Sequence, residues 1–151
     1  MALISLFGLI LGAYLSLYKF GYIGTLSCSV GSCETVQTSR WSTLFGLPVA
    51  TWGVGFYALM LALAIVGTQP QHEDSARLSL AILLLSGWGV AFTAWLNYLE
   101  GFVIHAWCEF CLGSAALVVV LFVLAVVDYR RCRLVAAEGS FFDGKEAEQK
   151  S

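Results

Sequence analysis

The sequence predicts an all-α membrane protein: a four-transmembrane-helix bundle with a short interfacial helix and a cysteine loop between helices 1 and 2. Three observations predict it. Hydrophobic residues make up 59% of the 151, and charged residues only 12%, about half the charged share of a soluble domain. The charges leave four windows with no Asp, Glu, Lys or Arg, at 2–18, 41–71, 78–99 and 110–127. A membrane-spanning helix needs roughly 20 mostly apolar residues, so four fit, near 2–22, 50–68, 77–99 and 108–128. The formal net charge of −2, with no basic surface stretch, excludes a nucleic-acid partner. The implied surroundings are a lipid bilayer.

The elements follow in chain order. The first span has no Lys or Arg before it, and its apolar run is longer than the core of a signal peptide, so it is expected as a retained anchor. Gly8, Gly12 and Ala13 give it a smooth stripe suited to close helix packing, and Lys19 near its end is expected to snorkel to the headgroups. The stretch 24–33 is rich in small residues and carries Cys28 and Cys33. Glu34 to Leu44 is polar with scattered apolar residues, which suits a short helix lying across the mouth of a bundle. Gly46-Leu47-Pro48 stops it and turns the chain into span two. There Trp52, Phe56 and Tyr57 stand near the membrane boundary, as belt or packing residues or as the wall of a ring-shaped ligand. His72 sits in a short polar connection and is expected to face water. Span three carries Trp88, Trp95 and Asn97 and ends at Glu100. Glu100 and His105 stand at the boundary; both are expected to face water there rather than to relay protons. Span four ends at Asp128. The domain is expected to cover 1–130, with 131–151 a disordered cytoplasmic tail.

The chemistry-bearing motif is Cys108-Glu109-Phe110-Cys111, at the head of span four. On a helix, positions i and i+3 share a face, close enough for a disulfide. The helix N-terminus favours a thiolate, and the neighbouring Glu109 charge opposes it. By itself the motif is equally a redox dithiol, half of a metal site or a structural staple. Topology adds to it. Arg130, Arg131 and Arg133 directly follow span four, and the positive-inside rule puts that end in the cytoplasm. Four spans then put both termini there, and Cys28, Cys33, Cys108 and Cys111 at the outer boundary, where disulfides are permitted. Cys132 lies on the opposite side, expected as a free thiol without a role. Two pairs on one face is the number a two-disulfide relay requires.

The order and spacing of several features together resemble the vitamin K epoxide reductase family in its bacterial form, over residues 2–130. These are Cys28 followed by Cys33, the run from Cys33 through Ser39 to Trp41, Phe45-Gly46-Leu47-Pro48 before Gly53 and Tyr57, and the Cys108/Cys111 pair opening the last helix of a four-helix bundle. The resemblance implies that Cys108 and Cys111 are the active-site pair, with Cys111 next to a quinone and Cys108 exchanging with the loop. It makes Cys33 the loop cysteine that links transiently to that pair, Cys28 the outer cysteine that meets a partner, and Ser39 the hydroxyl that bonds a quinone carbonyl. Phe56 and Tyr57 are expected to wall the ring. The implied function is a quinone-dependent thiol–disulfide oxidoreductase of the bacterial inner (plasma) membrane. Electrons pass from a thioredoxin-fold partner to ubiquinone or to menaquinone (vitamin K), supporting disulfide formation in exported proteins. The chain departs from the family pattern in two places. Many bacterial members carry a fused thioredoxin-like domain; here the partner is expected as a separate protein. Position 115 is Ala, where vertebrate members have a tyrosine.

Two other functions compete. One is a quinone or vitamin K epoxide reductase whose main product is the reduced quinone. The other is a non-enzymatic membrane protein holding a metal such as zinc on the four thiolates. An oxidising compartment disfavours the latter, and no metal is expected.

Overall fold

The computed structural model describes residues 1–22, 24, 33–69 and 76–149. Cys28, the loop around it and His72 lie outside the described residues. The helices are α1 (Ala2–Lys19), α2 (Cys33–Thr38), α3 (Val49–Val66), α4 (Ala76–Leu99) and α5 (Glu109–Gln149). Two short strands, β1 (Thr43–Leu44) and β2 (Leu47–Pro48), form a small hairpin before α3. Four segments are long and apolar enough to cross a membrane: Ala2–Lys19, Val49–Val66, Arg77–Ile104 and Glu109–Val135. They are the four expected spans, each shifted by a few residues. Leu3, Phe7, Ile10, Leu84 and Val123 point outward and exposed, the surface that hydrocarbon solvates in a multi-pass membrane protein.

Small residues set how closely the helices pack. Along α1, Gly8 and Gly12 are buried. A Cβ on Gly8 would lie 2.3 Å from the Tyr57 ring of α3, and one on Gly12 would lie 3.3 Å from Val54. The smooth stripe is therefore the seat of α3. Buried serines turn their hydroxyls back into their own helices: Ser16 Oγ donates to Gly12 O at 2.9 Å and Ser86 Oγ to Leu83 O at 3.0 Å. That leaves neither hydroxyl as an orphaned donor between helices. The core joins Tyr57 and Met60 of α3, Ile82 of α4, and Val118, Leu121 and Ala125 of α5. At the far end, Ser79 bonds Asp128 and lies 3.4 Å from the buried thiol of Cys132. Cys132 is about 30 Å from Cys111 at 1.5 Å rise per residue.

Between α1 and α3 the chain crosses the mouth of the bundle. After α2 come a 3₁₀ turn (Arg40–Ser42) and the hairpin, whose two-residue loop is Phe45-Gly46 with φ 53° and 80°. Positive φ at both positions is the geometry of a two-residue hairpin turn whose twist matches its strands. Gly46 adopts it freely, whereas Phe45 does so against its preference. Trp52 Nε1 donates to Leu44 O at 3.4 Å and ties the hairpin to α3. Lys19 does not act as a headgroup snorkel. Its ammonium donates to the Gln37 carbonyl and to Ser42 Oγ, the latter at 2.7 Å. Satisfying two oxygens of the crossing segment uses the charge better than a solvated end, and it pins that segment to α1.

Two boundaries differ from expectation. Span three does not end in a plain linker, because Glu100–Ile104 continues α4 as a π-helical turn. His105 then takes φ 54°, and Ala106 N donates back to Glu100 O at 3.1 Å. Span four does not end at Asp128. The segment expected as a disordered tail continues α5 to Gln149 as helix, in a stretch free of proline and rich in Ala, Glu, Lys and Arg, all good helix formers.

Candidate active site

The dithiol is built by the start of α5. Leu112 N donates to Cys108 O at 3.0 Å, so Cys108 occupies the cap position and Cys111 the first turn. The Cys111 thiol and the amides of Cys111 and Phe110 lie where they favour the Cys108 thiolate. A sulfur in the place of a capping oxygen receives the unpaired donors of a helix N-terminus. The Cys108 thiol is accordingly held below its ordinary value, first by the Cys111 hydrogen bond and further by those amides, against burial and the nearby Glu100 charge. The opposing carboxylate is thus Glu100, brought by the fold, rather than the sequence neighbour Glu109. Cys108 is fully buried. Cys108, Cys111 and Cys132 stand outside any disulfide, whereas Cys33 is disulfide-bonded.

Cys33 opens α2 and packs in one buried cluster with Val36, Ala106 and Cys108, edged by Ile104, Phe110 and Cys111. The crossing segment thus lays the loop cysteine beside the dithiol. On the other side, Phe110 meets Tyr14 of α1 with ring centroids 5.7 Å apart. The sequence-expected residues Cys33, Cys108 and Cys111 come together at one end of the bundle, and Cys132 stands at the other.

Below this cluster lies a cavity of about 720 Å³, within the range of small-molecule sites. Its lid is the crossing segment, with Ser39 and Trp41; its walls are α3 and α4; Cys111 and Ser114 of α5 reach its edge. Cys111 lines it and Cys108 does not. Phe56 and Tyr57 both line it, with ring centroids 5.3 Å apart and near-perpendicular planes. Tyr57 is 2% exposed, and its hydroxyl meets Ser114 Oγ at 2.9 Å and donates to Ser114 O at 3.0 Å. Tyr57 is therefore as much a core residue as a wall. Ser39 lines the cavity, but its hydroxyl donates to Val36 O at 2.7 Å. Trp88, 71% exposed, stands on the α4 wall, so the cavity is reached from the bundle's outward apolar side.

Two site residues were not assigned from sequence. Asn97 of α4 donates its Nδ2 to Thr93 O at 2.9 Å, while its buried Oδ1 has no partner. It lines the cavity, as does Glu100. Glu100 does not face water; it is 4% exposed, and its Oε2 accepts from Cys108 N at 3.3 Å. His105 is exposed as expected. The available signal was a carboxamide and a carboxylate one helical turn apart at the end of an apolar span. The π turn carries Glu100 inward where a regular boundary would have released it to water.

The cavity accommodates a ring-shaped apolar molecule with oxygens to bond. Its aromatic walls supply the surface, and the orphaned Asn97 oxygen supplies an acceptor for a hydroxyl. A dithiol at the edge of such a cavity, with a third cysteine in a disulfide packed alongside, suits thiol–disulfide and two-electron chemistry. The model of the vitamin K epoxide reductase family matches residues 1–126, which takes in the first three spans and most of the fourth. This chain belongs to the vitamin K epoxide reductase family of membrane oxidoreductases.

Proposed function

We propose that the protein carries electrons from a separate thioredoxin-fold dithiol partner to a membrane quinone, and so supports disulfide formation in exported proteins. The partner's thiolate opens a Cys28–Cys33 disulfide. Once the partner has closed its own disulfide and left Cys28 and Cys33 as thiols, Cys33 attacks Cys108, forming Cys33–Cys108 and releasing Cys111; Cys28 then attacks Cys33, re-forming Cys28–Cys33 and leaving Cys108 and Cys111 both reduced. When bound, a quinone (ubiquinone or menaquinone) supplies an acceptor for two electrons and two protons. Cys111 faces it, Trp41, Phe56 and Trp88 border the ring, the Asn97 Oδ1 accepts from a hydroxyl of the quinol product, and the Ser39 hydroxyl, on leaving Val36 O, donates to a quinone carbonyl. The observation that carries this reading is the division of labour within the dithiol: Cys108 packs with the disulfide-bonded Cys33, and Cys111 lines the cavity. A relay needs one sulfur turned to each side.

We further propose that the four reacting cysteines face the periplasm or cell exterior, with both termini in the cytoplasm of a bacterial plasma membrane; the arginines after Asp128 support this. The four-thiolate metal alternative loses support, because a sulfur engaged in a disulfide offers no thiolate. No feature of the cavity favours an epoxide over the parent quinone.

The test follows quinone absorbance in purified protein supplied with a reduced thioredoxin-fold protein or with dithiothreitol. Cys108→Ala and Cys111→Ala are expected to abolish reduction with either donor. Cys28→Ala and Cys33→Ala should abolish it with the protein donor only. Equal loss with both donors in all four variants would refute the order of the relay. No reduction of any quinone by the wild type would refute the acceptor.

A further inference from the structure

Glu100 is a carboxylate almost fully withdrawn from solvent, in contact with both halves of the dithiol. Its Oε2 accepts from Cys108 N at 3.3 Å, its carboxyl interacts with the Cys111 thiol, and it lines the cavity alongside Cys111. Its position is built rather than incidental. It opens the π turn, and its own carbonyl is bound by Ala106 N as the chain reverses through His105.

Among the described residues, no Lys, Arg or His pairs with it. Burying a carboxylate without a cation is costly unless the group can take up a proton. The titratable groups facing it are Cys108 and Cys111 of α5. Of the other ionisable side chains nearby, Tyr57 of α3 is committed to Ser114 and Lys19 of α1 to Gln37 and Ser42. His105, five residues on, is exposed.

We propose that Glu100 is the proton-transferring acid of the site, shared between the dithiol and the quinone oxygen that Cys111 faces. This rests on the reading of the cavity as a quinone site. In the reduced pair, two protons occupy three places: Cys111 keeps one, Glu100 holds the other, and Cys108 is the thiolate. As the Cys108–Cys111 bond closes, the two sulfurs give up two electrons. The S–H bond of Cys111 and the O–H bond of Glu100 break, and their protons go to the two oxygens of the quinone, which leaves as the quinol. Glu100 ends as a carboxylate. The charge of one thiolate before the step equals the charge of one carboxylate after it, so the buried site never gains net charge.

The test has a readout that needs no quinone. The purified protein is reduced, then titrated with a soluble oxidant that closes Cys108–Cys111, and followed by infrared difference spectroscopy. The wild type is expected to lose a protonated-carboxyl band and gain a carboxylate band on oxidation; Glu100→Gln should show neither. With quinone present, Glu100→Gln should lower the maximal rate by about 10²-fold or more, the usual size of a lost general acid, and flatten its pH profile. Glu100→Asp should recover part of both. Glu100→Gln should keep the wild-type thermal unfolding midpoint in detergent, which separates a lost proton path from a misfolded site. An unchanged band in the wild type, or a Glu100→Gln enzyme with wild-type rate and pH profile, would overturn the proposal. Failure of the wild type to reduce quinone while the band still shifts would overturn the cavity reading and leave the proton-holding role of Glu100 intact.

Discussion

At the residue scale, the dithiol is asymmetric because of where helix α5 begins. Cys108 sits at the cap and collects amide hydrogens, whereas Cys111 sits one turn in, donating toward Cys108 and Glu100. Cys108 is therefore the sulfur whose thiolate the helix start favours. Because its pKa is lowered, the thiolate survives to a lower pH than in an ordinary thiol of pKa about 8.5. We expect the pH midpoint for alkylating Cys108 to lie below that value. Cys111→Ala should move the midpoint up by removing the largest stabilising hydrogen bond. Glu100→Gln should leave it nearly unmoved, because the proposed reduced pair holds Glu100 protonated; a downward shift would show a charged carboxylate there. Mass spectrometry of the alkylated peptide across a pH series checks both. The CEFC spacing alone makes the pair legible as a dithiol. It does not show which carboxylate acts on it, because Glu109 adjoins Cys108 in sequence while Glu100 meets it only through the π turn and the reversal at His105.

At the element scale, the α1–α3 contact depends on the absence of a side chain. The Tyr57 ring lies where a Gly8 Cβ would be, and it cannot swing away, being buried and held by Ser114. Gly8→Ala is expected to destabilise the protein by about 1–3 kcal/mol, the usual cost of overpacking, and to disturb the cavity wall that Tyr57 forms. Gly113, in the first turns of α5, has open space around its missing Cβ. Gly113→Ala should be neutral or stabilising by up to about 1 kcal/mol, the helix preference of Ala over Gly. Thermal unfolding midpoints in detergent compare the two. The small-residue stripe was visible in the sequence; its partner was not, because nothing in the α1 pattern says which helix lies against it. Lys19 teaches the same lesson. A lysine at the end of an apolar helix has headgroups as its default partner, and only the path of the crossing segment supplies the Gln37 and Ser42 oxygens that displace them.

At the scale of the whole molecule, the bundle separates an end where Cys33, Cys108 and Cys111 cluster from an end where Ser79, Asp128 and Cys132 form a small polar knot. The proposed orientation can be tested in a chain whose five native cysteines are replaced by alanine. A membrane-impermeant maleimide added to intact cells or right-side-out vesicles is expected to label Tyr22→Cys and to spare Ser75→Cys; inverted vesicles should reverse this. Labelling of Ser75→Cys from outside would invert the topology. The four spans, the interfacial helix and the dithiol at a helix start could all be recognised in the bare chain. Span length, charge-free windows and a two-residue spacer between cysteines are local properties, and the bilayer leaves a hydrophobic chain few other solutions. The contents of the cavity wall could not. Glu100 became a site residue at the π turn that follows α4, Asn97 through the packing of α4 itself, and Ser39 turned to Val36 rather than leaving its hydroxyl open. Whether a polar side chain at a membrane boundary faces water or a buried site depends on a rotation of part of a helical turn, set by long-range packing that no local pattern encodes.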